Sequence, residues 1–155
     1  MNRLERRLVP LVSSRAGRWF FLNVANRIDK RLIPATNGRL SIAPWLPLLV
    51  LENRGAKSGE LRRTPLLYAR DGDDIVLIAS NGGAPRHPAW YHNVRAHPEV
   101  TLFLRGRTGR YRARVAEGAE RERLWRIATT LNPGYDIYRS RASNRQIPVV
   151  ALSAL

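Results

Sequence analysis

A short segment between two predicted strands combines glycines, cations and a hydroxyl group, which are the groups that bind phosphate. The segment Gly55–Gly59 reads GAKSG and holds Lys57 and Ser58, and Arg62 and Arg63 follow it. Backbone amides of a tight turn, a lysine, a hydroxyl and a guanidinium group can converge on one phosphate. Basic residues are also common at hairpin tips, so a solvated turn remains the alternative for this segment taken alone.

The spacing excludes the phosphate loop of nucleotide hydrolases. That loop has the pattern G-x-x-x-x-G-K-[ST] and runs from a strand into a helix. Here Ala56 precedes Lys57, Leu51 stands six positions before the lysine, and the segment joins two predicted strands. The G-x-G-x-x-G fingerprint of dinucleotide-binding proteins is also missing. The segment therefore predicts an anion site of another kind.

Two later motifs favour a site for a flat ligand. Ala79–Gly83 reads ASNGG and follows a predicted strand; glycines there let the backbone approach a planar molecule closely. Trp90, Tyr91 and Asn93 stand together in the motif HPAWYHN, and a ring, a phenol and a carboxamide suit a heterocycle with hydrogen-bonding edges. Either motif alone also fits ordinary core packing.

Other classes of site have little support in the sequence. Cysteine is absent, which excludes disulfides, thiolate zinc sites and a cysteine nucleophile. His87, His92 and His97 recur every five residues. That interval scatters them around a helix, so no metal site is predicted. The acidic residues are sparse and show no pair typical of a glycosidase.

Hydrophobic periodicity predicts the elements that position these motifs. Helices are predicted over residues 13–32, 88–98, 118–131 and 134–143. Strands are predicted over residues 46–53, 63–70, 74–80, 99–106, 110–116 and 145–155. Short connections such as RDGDD favour antiparallel hairpins. We therefore predict an α+β fold, a mostly antiparallel barrel with an N-terminal helix and two or three peripheral helices, divided into a helix and connector (1–40) and a barrel domain (41–155).

The charge and the N-terminus bear on partners and location. The net charge of +15 attracts polyanions, whether nucleic acid, acidic lipid or a polyanionic cofactor. In the predicted N-terminal helix, Phe21, Val24 and Ile28 share an apolar face and Lys30 lies away from it. Such a helix either packs on its own domain or contacts an anionic membrane. No apolar run resembles a signal peptide or a membrane span, so we expect a cytoplasmic protein, which would be peripheral on the inner face of the cell membrane if this helix binds lipid.

Taken in order, the motifs resemble the deazaflavin-dependent nitroreductase family, whose members use coenzyme F-420, an 8-hydroxy-5-deazaflavin. The matching set is GAKSG, an arginine, TPL, ASNGG and HPAWYHN, followed by YDIYRSRASNRQIPVVAL, and it extends over about residues 48–152. The resemblance implies a split β-barrel, a fold also found in FMN-binding oxidases. It also implies hydride transfer from reduced coenzyme F-420 to a planar apolar acceptor: a quinone, an enone or a nitroaromatic compound.

The resemblance implies roles at individual positions. Cofactor contacts are implied at Lys57, Ser58, Arg62, Thr64, Pro65, Leu66, Ser80, Asn81, Gly82, Trp90, Tyr91 and Asn93. The first three match the pocket for the cofactor phosphate and its acidic tail, and the others match positions along or over the deazaflavin. Tyr135 and Tyr138 match tyrosines on the substrate side. Either phenol, with an ordinary pKa of about 10, is a candidate catalytic proton donor, and plain lining of an apolar pocket is the alternative.

The chain departs from the family pattern at three places. The usual G-R-K-S-G has Ala56 in place of its arginine, and Asn81 stands where a lysine is common. Both differences remove a cation from the pocket for the anionic tail. A tyrosine often follows the proline–leucine pair, but here Leu67 comes first and Tyr68 second. On an alternating strand that shift moves the phenol to the opposite face.

Other ligands for the same barrel remain open at this point. FMN, haem or a bound lipid could replace the deazaflavin on the same fold. A basic nucleic-acid-binding small barrel is the less favoured alternative; the net charge and the arginines and aromatic ring of RYRARV support it. The clustering of the glycine and aromatic motifs instead favours a pocket for a small molecule. Split barrels often dimerise, so by analogy we expect a homodimer.

Overall fold

The computed structural model describes residues 24–155 of the chain. Residues 13–23 of the predicted N-terminal helix therefore lie outside the described residues. Within residues 24–155 the strands are β1 Leu48–Arg54, β2 Leu61–Leu67, β3 Ala69–Asp71, β4 Asp74–Ile78, β5 Glu99–Leu104, β6 Arg107–Val115 and β7 Val149–Ala154. The α-helices in that range are α1 Asn26–Ala35, α2 Ala89–Ala96, α3 Gly118–Leu131 and α4 Gly134–Arg141.

All the strands described belong to one antiparallel sheet that curls into a barrel. Their order across the sheet is β2-β1-β5-β6-β7-β4-β3, and every neighbouring pair is antiparallel. β2 and β3 lie at opposite edges of the sheet, although only Tyr68 separates them along the chain. The chain thus crosses from one edge to the other within one residue. The predicted antiparallel split β-barrel is confirmed.

Successive side chains along a strand point to opposite faces of the sheet, and both faces carry apolar clusters. Leu51 of β1 lies opposite Leu102 of β5, and both side chains are fully buried in the cluster that fills the barrel interior. Val76 of β4 points to the other face and joins a second cluster with Leu124 and Trp125 of α3. A period of two is expected for strands buried on one or both faces, so the barrel is filled inside and partly covered by helices outside.

The connector that follows α1 contacts both α1 and the barrel. The carboxylate of Asp29, buried in α1, accepts hydrogen bonds from the Ile42 amide (2.8 Å) and the Ser41 hydroxyl (3.1 Å). Gly38 has a φ of +76°, and a Cβ at this position would lie 1.6 Å from the Leu104 carbonyl oxygen. Only glycine fits such a close approach with a left-handed backbone. The connector therefore packs tightly on the end of β5.

Element boundaries differ from the predicted ones where tertiary contacts decide them. The helix predicted to end at residue 32 continues to Ala35 through Pro34 because Ile33 is buried and holds the last turn against the sheet. The strand predicted over residues 63–70 is broken at Tyr68, whose amide donates to the Pro47 carbonyl (3.0 Å). α3 has its predicted bounds. Within residues 24–155, no helix combines the length and the apolar character needed to cross a bilayer.

Candidate functional site

Two turns and α2 meet at one end of the barrel. β1 ends at Arg54 and β4 ends at Ile78, and the register through β5, β6 and β7 places both of these strand ends at the same end of the barrel. α2 lies there as well, packed against β1 and β6. We call residues 55–60 the first turn and residues 80–83 the second turn. The phosphate-type motif, the glycine motif and the aromatic motif of the sequence are thus brought to one region.

A pair of asparagines joins the first turn to α2. The Ala56 amide donates to Oδ1 of Asn93 (2.9 Å), and Nδ2 of Asn93 donates to Oδ1 of Asn53 (3.5 Å). Asn53 is 2% exposed and donates in turn to the Trp90 carbonyl (3.3 Å). A buried carboxamide with both ends bonded gives its neighbours a fixed geometry. Asn93, predicted as a cofactor contact, therefore orients the first turn in this structure.

An open cleft with basic side chains lies between the first turn and α2. Its volume is about 610 Å³, and its lining residues are Ala56, Lys57, His92, Arg95 and Ala96. No carboxylate lies among these residues. Two permanent cations and an imidazole around a cleft of ligand size favour an anion, since the field of like charges adds inside a cleft. The side chains present fit the phosphate and carboxylate groups of an anionic cofactor arm.

The other two residues predicted to bind phosphate, Ser58 and Arg62, belong to the first turn and to the start of β2. The Ser58 hydroxyl accepts a hydrogen bond from the Glu60 amide (3.3 Å) and so closes the first turn on itself. The Arg62 guanidinium donates to the Glu60 carboxylate (2.6 Å), and both side chains are exposed. Neither residue is among those that line the cleft. An exposed ion pair contributes little stability, so Arg62 can leave Glu60 for a stronger anion at small cost.

The residues predicted to lie along the cofactor belong to an edge strand and divide between its two faces. Among the strands of residues 24–155, β2 pairs only with β1, at one edge of the sheet. Thr64 lies opposite Leu51, so it faces the barrel interior, and Leu66 packs against the interior cluster. Pro65, between them, points to the other face. Tyr68 is buried in the interior cluster. Thr64 and Leu66 therefore share one surface, and Pro65 does not.

The second turn has a left-handed backbone at three consecutive residues, and the packing of α4 explains one of them. Asn81, Gly82 and Gly83 have φ values of 49°, 63° and 80°. A Cβ on Gly83 would lie 2.8 Å from the Arg141 Cβ and 2.9 Å from the Tyr138 carbonyl oxygen. Gly83 is therefore required by the close approach of α4. Gly82 has open space around its Cα, which leaves this part of the turn accessible, together with the exposed Asn81.

The aromatic residues of α2 are buried, whereas its polar residues face the cleft. Trp90 is 5% exposed, and Tyr91 is buried beside it. Both belong to the cluster that fills the barrel interior, with their rings at right angles and 6.5 Å apart. Their role as cofactor contacts stays a prediction. In this structure they hold α2 against the barrel, and this orientation turns His92 and Arg95 towards the cleft.

The two predicted catalytic tyrosines belong to the outer apolar cluster. Tyr135 is buried there against Trp125, with ring centroids 6.4 Å apart. Burial, followed by the neighbouring Tyr138, raises the pKa of Tyr135 to about 12. Tyr138 is half-buried, and its ring lies 6.2 Å from that of Tyr135. Because α4 packs on the second turn, Tyr138 lies at the side of this turn.

Sequence reasoning missed four residues that shape this region. The lining positions His92 and Arg95 are three residues apart, and that spacing places them on one helix face; the helical pattern could have identified them. Asn53 and Arg145 act through contacts with residues 37 or more positions away. No local pattern carries that information.

Comparison with known proteins identifies the family of this chain. The family described as F420H(2)-dependent quinone reductase matches residues 25–154 of the chain. An F420H(2)-dependent quinone reductase of Mycobacterium tuberculosis is 39% identical over 132 residues, which cover 82% of this chain and 88% of that protein. The family match includes both turns, α2 and α4.

Solved structures give the same result. One, described as an F420-H2 dependent reductase, has a TM-score of 0.64 and 36% identity, and the match covers 69% of this chain and 94% of that one. Another, described as a domain-swapped dimer, has the same TM-score and identity and covers 69% of this chain and 80% of that one. The deazaflavin-type resemblance seen in the motifs is confirmed. The chain belongs to the F420H(2)-dependent quinone reductase family and is an oxidoreductase that uses coenzyme F-420.

Proposed function

We propose that this chain reduces a planar apolar acceptor of the quinone class with reduced coenzyme F-420, and that the cationic cleft holds the anionic arm of the coenzyme. Membership of the family supports the reaction. The observation that supports the placement is the cleft between the first turn and α2, whose lining contains Lys57, His92 and Arg95 and no carboxylate. An enone or a nitroaromatic compound would use the same site.

Each wall of the site has a separate task in this proposal. Reduced coenzyme F-420 supplies the hydride of a two-electron reduction when it is bound. Lys57 and Arg95 provide charge-assisted hydrogen bonds to phosphate or carboxylate oxygens, and Arg62 joins them by leaving Glu60. Ser80, Asn81 and Gly82 line the other side with backbone groups and little side-chain bulk. The chain needs no nucleophile of its own, because its task is to orient two reactants and exclude water.

Equilibrium binding tests the proposal directly. Purified protein is titrated with oxidised coenzyme F-420 and, separately, with FMN, and binding is followed by quenching of tryptophan fluorescence. We expect tighter binding of coenzyme F-420, and oxidation of its reduced form only when a soluble quinone is added. Tighter binding of FMN than of coenzyme F-420 would mean that FMN, and not coenzyme F-420, is the cofactor at this site. Binding of oligonucleotides with a steep dependence on salt, in a protein without affinity for either cofactor, would support the nucleic-acid alternative.

Tyr138 is the better placed of the two candidate proton donors. The phenol of Tyr135 is buried and its pKa is raised to about 12, so it is a weaker acid than an ordinary tyrosine and stays protonated. Tyr138 is half-buried beside the second turn. We expect Tyr138→Phe to lower kcat for a quinone about tenfold, below the usual range of about 100-fold to 10,000-fold for a general acid, because solvent can substitute for the phenol. Affinity for oxidised coenzyme F-420 should stay unchanged.

Tyr135→Phe is the matched variant for this prediction. It removes the same hydroxyl group from the neighbouring ring, and we expect kcat to stay at the wild-type value. Steady-state kinetics with menadione as acceptor, together with the titration described above, separate turnover from binding. Equal rates for wild type and both variants would exclude the two tyrosines as proton donors and leave solvent as the source.

Two further proposals concern assembly and location. The structure described as a domain-swapped dimer, at 36% identity, supports a homodimer. The exposed Arg27, Lys30 and Arg31 of α1, with Ile28 at 44% exposure, support contact with an anionic lipid surface. Light scattering in solution tests the first proposal. Co-sedimentation with anionic vesicles tests the second proposal. A truncated variant for this experiment should lack only residues 1–23, because Asp29 and Ile33 of α1 are buried and removal of α1 would disturb the fold.

A further inference from the structure

One arginine holds the second turn from outside. Arg145 lies between α4 and β7 and is half-buried. Its Nη2 donates to the Ser80 carbonyl (2.7 Å) and its Nε to the Ala84 carbonyl (2.9 Å). Nη1 makes a longer contact of 3.5 Å with the Ala79 carbonyl. The planar guanidinium group thus reaches carbonyl groups on both sides of the second turn, about 60 residues away in the sequence.

The second turn needs such an external contact. Three consecutive residues, Asn81 to Gly83, have positive φ values; glycine adopts this conformation freely, and asparagine adopts it more readily than other residues with a side chain, but still at a cost. The turn's own backbone hydrogen bonds are those from Gly83 to Ser80 (2.9 Å) and from Ala84 to Asn81 (3.1 Å), and the Asn81 side chain donates to the Arg86 carbonyl (2.9 Å). A strained backbone persists when the surrounding structure over-determines it. The fork of donors on Arg145 provides that constraint.

The same guanidinium group also connects the second turn to the cleft through His87. Nη1 of Arg145 lies 2.9 Å from Nδ1 of His87. A guanidinium group only donates, so Nδ1 must accept and the proton of the neutral ring is on Nε2. The His87 ring lies 5.0 Å from Tyr91 and 5.9 Å from His92, centroid to centroid. His92 lines the cleft.

We infer that Arg145 is a positioning residue that holds the second turn and, through His87, fixes that turn relative to the cleft wall on α2. The inference rests on the proposed function for its consequence, which is that both walls of the coenzyme site keep one spacing. Arg145 contacts neither the cleft lining nor the reacting groups directly; it acts through the Ser80 and Ala84 carbonyls and the His87 ring.

The protonation of His87 gives this arrangement a pH signature. Burial, followed by the charges of Arg145, His92 and Arg95, lowers the pKa of His87. These three groups and the Tyr91 ring are its neighbours. Because the folded protein favours the neutral ring, the Arg145–His87 bond is complete above the ordinary His pKa of about 6.5 and is lost as the pH falls through the lowered value. A protonated Nδ1 cannot accept from a guanidinium group.

Hydrogen–deuterium exchange of the protein without coenzyme is the first test. At pH 8, Arg145→Gln should speed amide exchange in residues 80–84 about tenfold, the factor expected when opening costs about 1.4 kcal/mol less. Arg145→Lys should behave like the Gln variant, because one ammonium group cannot replace a planar fork. Arg126→Gln, an exposed arginine of α3, is the control and should exchange like wild type. Exchange in Arg145→Gln equal to that of the control would overturn the inference, as would full rescue by lysine.

Coenzyme binding and pH give the second test. The Kd for oxidised coenzyme F-420 should rise about tenfold in Arg145→Gln, with little change in kcat once the site is saturated. As the pH falls from 8 through the lowered pKa of His87, the affinity of the wild type should fall relative to that of His87→Gln, because only the wild type loses the bond to Arg145. His87→Gln keeps an acceptor for Arg145 and should lose less. Equal pH profiles for wild type and His87→Gln would exclude this histidine as the link. A wild-type protein that binds no coenzyme would instead refute the proposed function, whereas the exchange experiment would still decide the role of Arg145.

Discussion

Replacing Lys57 and Arg95 together with glutamine should weaken the binding of oxidised coenzyme F-420 about 100-fold. Both side chains line the cationic cleft, one from the first turn and one from α2. A hydrogen bond to a charged group contributes about 1.5–3 kcal/mol, and the exposure of both cations argues for the lower end, close to a factor of ten each. Fluorescence titration at fixed ionic strength measures the change, because salt screens exposed charges.

A second double variant separates a local effect from a global one. Arg107→Gln with Arg126→Gln removes the same net charge from two exposed positions. Arg107 follows β5 at the end of the barrel opposite the cleft, as the pairing of β1 with β5 indicates. Affinity should stay close to wild type, and raising the salt concentration should weaken binding less in the cleft variant than in the control. An equal loss in both variants would mean that the overall charge, and not this cleft, attracts the coenzyme.

Gly38→Ala should lower the free energy of unfolding by about 4 kcal/mol, among the largest effects of a single substitution. The added Cβ would lie 1.6 Å from the Leu104 carbonyl oxygen and 2.1 Å from its carbonyl carbon. These are backbone atoms of β5, so no side chain can rotate away, and the connector must leave the barrel. For a domain of this size the midpoint of thermal unfolding should fall by about 8–16 °C, measured by calorimetry or circular dichroism.

Gly106→Ala is the matched control for this prediction. Gly106 has a similar φ of +65°, but a Cβ there would meet nothing within 4 Å. The substitution therefore tests the cost of the left-handed backbone alone, about 1 kcal/mol. Similar losses in the two alanine variants would show that the contact with Leu104 contributes nothing beyond this conformational cost.

Local patterns account for most of the fold. The continuous apolar runs of β1 and β4 and the helical spacing in α3 are strong signals because the side chains concerned are buried. The break at Tyr68 was not predictable, since it depends on a hydrogen bond to Pro47, 21 residues earlier in the chain. The last strand begins at Val149 and not at residue 145, and the side chain of Arg145 instead bonds to the second turn.

The candidate site was predictable only in part. The motif GAKSG predicted the location of the candidate site and its lysine, because glycines and charged residues close together in the sequence indicate a turn that can bind an anion. Trp90 and Tyr91 are buried in the core of this structure, and their contact with the ligand stays a prediction, because aromatic residues in a sequence fit either place. The contacts of Asn53 and Arg145 depend on the register of distant strands. That register is a property of the whole sheet, and no segment of the sequence encodes it alone.

The passage of the chain through Tyr68 has a consequence for how this molecule comes apart. The outermost strands, β2 and β3, are one covalent run, so neither rim of the sheet can peel away without pulling on the other. Local unfolding is thereby disfavoured at the two edge strands, where open sheets usually begin to unfold. The walls of the cleft should then unfold together with the barrel in one transition. A ligand that binds to one turn would therefore raise the unfolding temperature of the whole domain.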